Sequence, residues 1–172
     1  NIMDHQLGSG ASGRYDGFKN QYYAGRRPNG FYIPRFRNLG NDNKKVDFLR
    51  GYGYQGGASR WGWNESVAEL AYGKDFKKEV LKPGDWSIGM GGFGEVLPYH
   101  ENKMFLNYEK LDQWGLPKIV FDAEFKENEI KMKEDWKVQA AEMLENAGFK
   151  DVNINDSNAT IGKGIHEMEN DG

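Results

Sequence analysis

Apolar and polar positions alternate along this chain with two different periods. Near the carboxyl end, Phe125, Met132, Trp136, Ala140, Met143 or Leu144, and Ala147 step by sevens, fours and threes. That spacing predicts an amphipathic helix over approximately Lys126 to Ala147. Its other face is Glu and Lys, with i, i+4 partners such as Glu129 and Lys133. Gly148 sits where a left-handed cap residue belongs, and Phe149 can fold back on the last turn. A shorter helix is predicted from Asn64, a good N-cap, through "ESVAELA" toward Gly73.

Elsewhere the period is nearer two. "GFYIPRF" (Gly30 to Phe36) predicts a strand that Pro34 confines to a sheet edge, and "DFLRGYGY" (Asp47 to Tyr54) a second. "GGFGEVLPYH" and "MFLNY" read as the arms of a hairpin turning at Glu101 to Lys103. "LPKIVFDAEF" (Leu116 to Phe125) starts as a strand after the turn-like "WGLP", and "KDVNIND" alternates Val152 and Ile154. Strands followed by a helix and a last strand imply an α+β fold. The expected arrangement is an antiparallel sheet with one long amphipathic helix and a short helix packed against it. The 172 residues suit a single domain, 1–172.

Composition narrows the function. With 23 basic against 26 acidic side chains and a net charge of −3, the chain lacks the basic excess a nucleic-acid binder needs. It has no cysteine, which removes disulfides, thiolate metal sites and thiol nucleophiles. No apolar run reaches membrane-spanning length. The opening "NIMDHQLGSG" has neither the basic region nor the apolar stretch of a signal peptide, and lacks an initiator methionine. It reads as a fragment of a longer parent. Cytoplasm and periplasm are equally open.

Of the 23 glycines, 18 lie in the first hundred residues, clustered among aromatics, as suits bent strands approached closely by backbone or ligand. "GSGASG" matches G-x-G-x-x-G from Gly8 through Gly10 to Gly13. Without a preceding apolar strand or a following helix it reads as a false match to a dinucleotide site. The histidines His5, His100 and His166 have no metal-ligand spacing. "YYAGRRPNGFYIPRFR" interleaves rings with Arg26, Arg27 and Arg35, either as a sugar platform or, more commonly for such strands, as a packed aromatic layer under solvated arginines. Glu95, His100 and Glu101 form either a polar cluster or a solvated turn.

The ends carry a resemblance. "NIMDH" resembles the N-L-x-D-H segment of glucose–methanol–choline (GMC) oxidoreductases, and "GIHEM" the start of their H-x-x-G-T-x-x-M-G segment. The stretch from "LPYHENKMFLNY" through "WGLPKIVFDAEF" to "MLENAGF" is similar to the family's C-terminal region, and "FLRGYGYQGGASRWGW" to its bacterial branch. The resemblance spans almost the whole chain. It departs after Met168, where "ENDG" replaces the Gly-Thr continuation, and the family's N-terminal G-x-G-x-x-G unit is not in this sequence.

The resemblance implies a substrate-binding domain fragment of an FAD-dependent enzyme that oxidises a CH–OH group of a sugar, polyol or other alcohol. FAD and a flavin-binding domain of the same parent would be its cofactor and partner. The fragment alone would bind no flavin and be inactive. His166 would be the base, and Asp4 and His5 would organise the junction with the flavin domain. The Gly-rich loop from Gly53 to Trp63 would wall the substrate pocket, with Gln55, Arg60 and Trp61 as recognition candidates. The alternative is a free-standing carbohydrate-binding or interaction module.

Overall fold

The computed structural model describes residues 2–19, 30–35, 37–40, 46–60, 73, 76–77 and 84–157. Seven strands and one helix are defined among them: β1 (His5–Tyr15), β2 (Gly30–Ile33), β3 (Tyr52–Arg60), β4 (Trp86–Glu95), β5 (Lys103–Leu111), β6 (Pro117–Asp122), α1 (Glu127–Asn146) and β7 (Lys150–Asn155). Five strands form one sheet in the order β2-β3-β4-β1-β7, with every neighbouring pair antiparallel. β5 and β6 form a separate two-stranded hairpin. The antiparallel α+β architecture is the one the sequence predicts. The predicted short helix from Asn64 lies outside the described residues.

α1 lies across β1, β4 and β7 and buries the middle of the predicted stripe, Met132, Trp136, Ala140 and Leu144, while Phe125 is half-buried and Ala147 exposed. On β3, Tyr52 and Tyr54 point to this side, each ring 5.6 Å from the other. The Tyr54 hydroxyl donates to the Trp136 carbonyl at 2.6 Å, and the Tyr52 hydroxyl donates to Asp135, which also accepts from Arg37 Nε at 2.9 Å. Burial, and then the bond to Asp135, push the Tyr52 phenol well above its usual range. Gly92 and Gly94 let the helix close on β4. A Cβ at Gly92 would lie 2.7 Å from the Trp136 indole, and one at Gly94 2.6 Å from the Met132 methyl.

The helix runs Glu127–Asn146 with Lys126 and Ala147 as its caps, within a residue of the predicted bounds. Gly148 has φ +85°, and the Phe149 amide donates to the Leu144 carbonyl at 3.0 Å, which folds the ring onto the core. The predicted Glu129–Lys133 pair does not form. Glu129 is fully buried, accepting from the amides of Lys126 (2.9 Å) and Leu97 (3.1 Å). Lys133 instead pairs with Asp156 at 2.9 Å.

Two strand expectations change. β3 begins at Tyr52 rather than Asp47 and continues to Arg60, so most of the expected loop from Gly53 is strand. The hairpin expected about Glu101–Lys103 does not exist, because β4 is held between β3 and β1 beneath the helix. The real hairpin turns at 112–116, where Asp112 Oδ1 accepts the amides of Trp114 and Leu116 at 2.9 Å each. Asn102 closes its base by exchanging hydrogen bonds with the Glu124 backbone.

Candidate functional site

Strand alternation gives the sheet a second face, opposite α1, and no described helix or strand packs over it. Register fixes its members. Tyr32 of β2 opposes Gln55 of β3, which opposes Gly91 of β4, which opposes Gly10 of β1, itself opposite Asn155 of β7. One row along, Gly57 opposes Gly89 and Gly89 opposes Ser12. Glycine therefore floors the middle of this face.

The reasons for these glycines differ. At Gly10 a Cβ would lie 1.9 Å from the Met90 carbonyl oxygen, so close backbone approach requires glycine there. A Cβ at Gly89 would meet nothing within 4 Å, and one at Gly91 only the Gln55 carbonyl oxygen at 3.8 Å. Both are exposed strand-interior positions, where glycine costs about 0.5–1 kcal/mol relative to alanine. Packing among the described residues gives no return for that cost.

An aromatic step borders the glycine floor. Tyr32, 58% exposed, stacks on Phe93 with centroids 5.9 Å apart and planes 28° from parallel. Two hollows meet there: a shallow one of about 480 Å³ lined by Gly30, Phe31, Tyr32, Gln55 and Gly56, and one of about 170 Å³ whose lining includes His5, Tyr32, Arg35, Phe93 and Glu95. The far end carries hydroxyl and amide groups, with the Asn155 side chain donating to Ser12 Oγ at 3.1 Å. The face thus brings together a flat ring, neutral amide and hydroxyl groups, the charged Arg35 and Glu95 at the smaller hollow, and bare backbone.

The predicted residues separate on this frame. Gln55 stands exposed at the glycine floor. His5 is exposed and opposes Glu95 across β1 and β4, at the rim of the smaller hollow. Asp4 accepts the His5 amide at 2.7 Å, and its carbonyl accepts the Val96 amide at 2.9 Å, which anchors the start of β1. Arg60 is five residues from Gln55 and so faces the other side. It is buried, and donates to the carbonyls of Gly84 (2.7 Å) and Lys19 (2.5 Å) with its guanidinium 6.0 Å from the Trp86 ring. Those bonds hold loops together, and no ligand contact is assigned to it. Trp61 and His166 lie outside the described residues.

The "GSGASG" segment does not form the strand–turn–helix of a dinucleotide site. "GSGASG" lies within β1, where Gly8 (φ +101°) occupies a bulge between Leu7 and Gly10 and Gly10 is pressed on β4. Its amides are not presented at a helix N-terminus, as a pyrophosphate site needs. Tyr32, Phe93 and the glycine pair Gly89 and Gly91 are the site residues that sequence reasoning did not single out. The signal was "GMGGFGEV" read with period two, which puts Gly89, Gly91 and Phe93 on one face. No family model, curated protein or solved structure matches the chain.

Proposed function

We propose that this chain is the substrate-side part of a GMC-type, FAD-dependent oxidoreductase, and that the open glycine-floored face of its sheet is the wall against which the alcohol lies. The observation that carries this reading is Gly89 and Gly91: exposed, unhindered, and in mid-strand where a side chain would be more stable. A ligand or cofactor surface lying close above the backbone accounts for them. The "NIMDH" and "GIHEM" segments supply the family. Flavin held by the rest of the parent would accept hydride from the substrate carbon. Residues of this chain bind and orient the sugar or polyol: Tyr32 and Phe93 by ring contact, Gln55 by its amide. His166 takes the hydroxyl proton, a role suited to neutral imidazole.

The test uses the full-length parent. Gly91→Val should leave flavin absorbance intact and lower kcat/KM for the best sugar or polyol by about tenfold or more, since one overlapping methyl pair costs more than about 1.4 kcal/mol. His166→Ala should reduce turnover roughly a hundredfold or more. Unchanged kinetics in Gly91→Val would remove the face from the substrate site. A second reading, a free-standing carbohydrate-binding module, is favoured by the exposed Tyr32 ring beside Gln55. It requires the isolated chain to bind glycans and Tyr32→Ala to abolish that binding.

A further inference from the structure

The smaller hollow beside the glycine floor holds charged groups that a wall for a neutral alcohol leaves unused. Arg35, just past β2, lines it together with His5, Tyr32, Phe93 and Glu95. The stem of Arg35 lies over Gly51, where a Cβ would be 2.8 Å from its Cγ and 2.9 Å from its Cδ. Its Nη2 donates to the Asn38 carbonyl at 3.0 Å. Asn38 is itself fixed, its side-chain amide donating to the carbonyls of Phe48 (3.0 Å) and Arg50. The guanidinium is thus anchored at one corner, with most of its donors open. Among the other described arginines, Arg14, Arg37 and Arg50 pair with carboxylates and Arg60 donates to two carbonyls. Arg35 has no carboxylate partner among the described residues.

An exposed arginine is ordinarily a solvated charge. This one differs in being tethered, in having a glycine beneath its stem, and in standing beside a ring stack. A guanidinium presents five N–H groups in a planar fork that matches a carboxylate at two points. The chain already makes that contact once: Arg37 Nε and Nη2 meet the two Asp135 oxygens at 2.9 and 3.3 Å. Tyr32 and Phe93 add apolar ring surface, and His5 an imidazole at the rim. Glu95 is the acid of the lining. It opposes His5 across β1 and β4 and lies 3.9 Å from Arg50 Nε, so Arg50 and not Arg35 offsets its charge. At about 170 Å³ the hollow is smaller than the roughly 300–1,000 Å³ that enclose a whole drug-sized ligand. It suits one end of a ligand, the rest running over Tyr32 toward Gln55 in the larger hollow.

We propose that this hollow is an acid pocket, in which Arg35 takes the carboxylate of a sugar acid, a uronate, whose C–H face lies on the Tyr32 ring. The inference rests on the hydroxylated substrate proposed above and narrows it from neutral sugars and polyols to their acids. One guanidinium, with no helix N-terminus in the lining, matches the single charge of a carboxylate better than the double charge of a phosphate.

Every lining residue of the hollow belongs to this chain, so the chain itself is the sample. It is titrated with D-glucuronate, the methyl ester of D-glucuronate, D-glucose and benzoate, and followed by NMR of the Arg35 side chain and the Tyr32 and Phe93 rings. Glucuronate should saturate these signals with a Kd of about 1–10 mM. The ester and glucose should bind about tenfold more weakly, and Arg35→Ala should weaken glucuronate by the same factor, as loss of a hydrogen bond to a charged group implies. The ester comparison uses the wild-type chain and stands whether or not the variant folds. Equal affinity for acid, ester and glucose overturns the acid pocket and leaves the hydroxylated substrate in place. Saturation by benzoate but not by glucuronate overturns the sugar, and with it the reading on which the inference rests. No saturation by any of the four up to about 50 mM overturns the pocket itself.

Discussion

A methyl group added at Gly92 would be 2.7 Å from the Trp136 ring, whereas one added at Gly89 would meet open space. The two residues lie three positions apart on one strand, facing opposite sides. Gly92→Ala forces the helix off β4 and should destabilise the chain by about 1–3 kcal/mol. Gly89→Ala restricts the unfolded chain without a clash and should leave stability unchanged or raise it by up to about 1 kcal/mol. Urea midpoints of the two variants measure the difference. Equal midpoints would mean that the indole does not rest on Gly92. At this scale the sequence was partly legible. Glycines among aromatics announced close approach, but identical letters stand for a bulge at Gly8, a backbone contact at Gly10, a helix seat at Gly92 and open space at Gly89. Only register tells these apart.

Among the elements, α1 was legible because its stripe, cap glycine and returning Phe149 all agree. The hairpin about Glu101 was misread because β4's partners are distant in sequence, and adjacent strand-like segments suggest a local pair whether or not one forms. Glu129 and Lys133 show the same limit: i, i+4 spacing offers a pair, and tertiary partners took both residues. One of those partners, Asp156 just after β7, accepts from Lys137 (2.7 Å), Lys133 (2.9 Å) and Ser9 (3.0 Å), and ties the helix to both β1 and β7. Those bonds hold its carboxyl well below the usual carboxylate range. A carboxyl with a lowered folded-state pKa adds stability above its unfolded value, near 3.9, and loses it as pH falls through the folded value. Asp156→Asn should therefore be less stable than wild type at pH 7, with the gap closing toward pH 2. A thermal-melt series over that interval tests it, and a constant gap would rule out the charge as the source. Trp136→Ala, which empties the centre of the same helix face, should cost about 3–5 kcal/mol at every pH.

For the molecule as a whole, the division between a helix-backed five-stranded sheet and a two-stranded ribbon sets a hierarchy of local stability. β1 and β4 have partners on both sides and the helix above them, while among the described residues β5 and β6 pair only with each other and are mostly exposed. Opening free energy follows buried contact, so amides of β1 and β4 should exchange with solvent slowest and those of 103–122 fastest among the strands, by about a hundredfold or more.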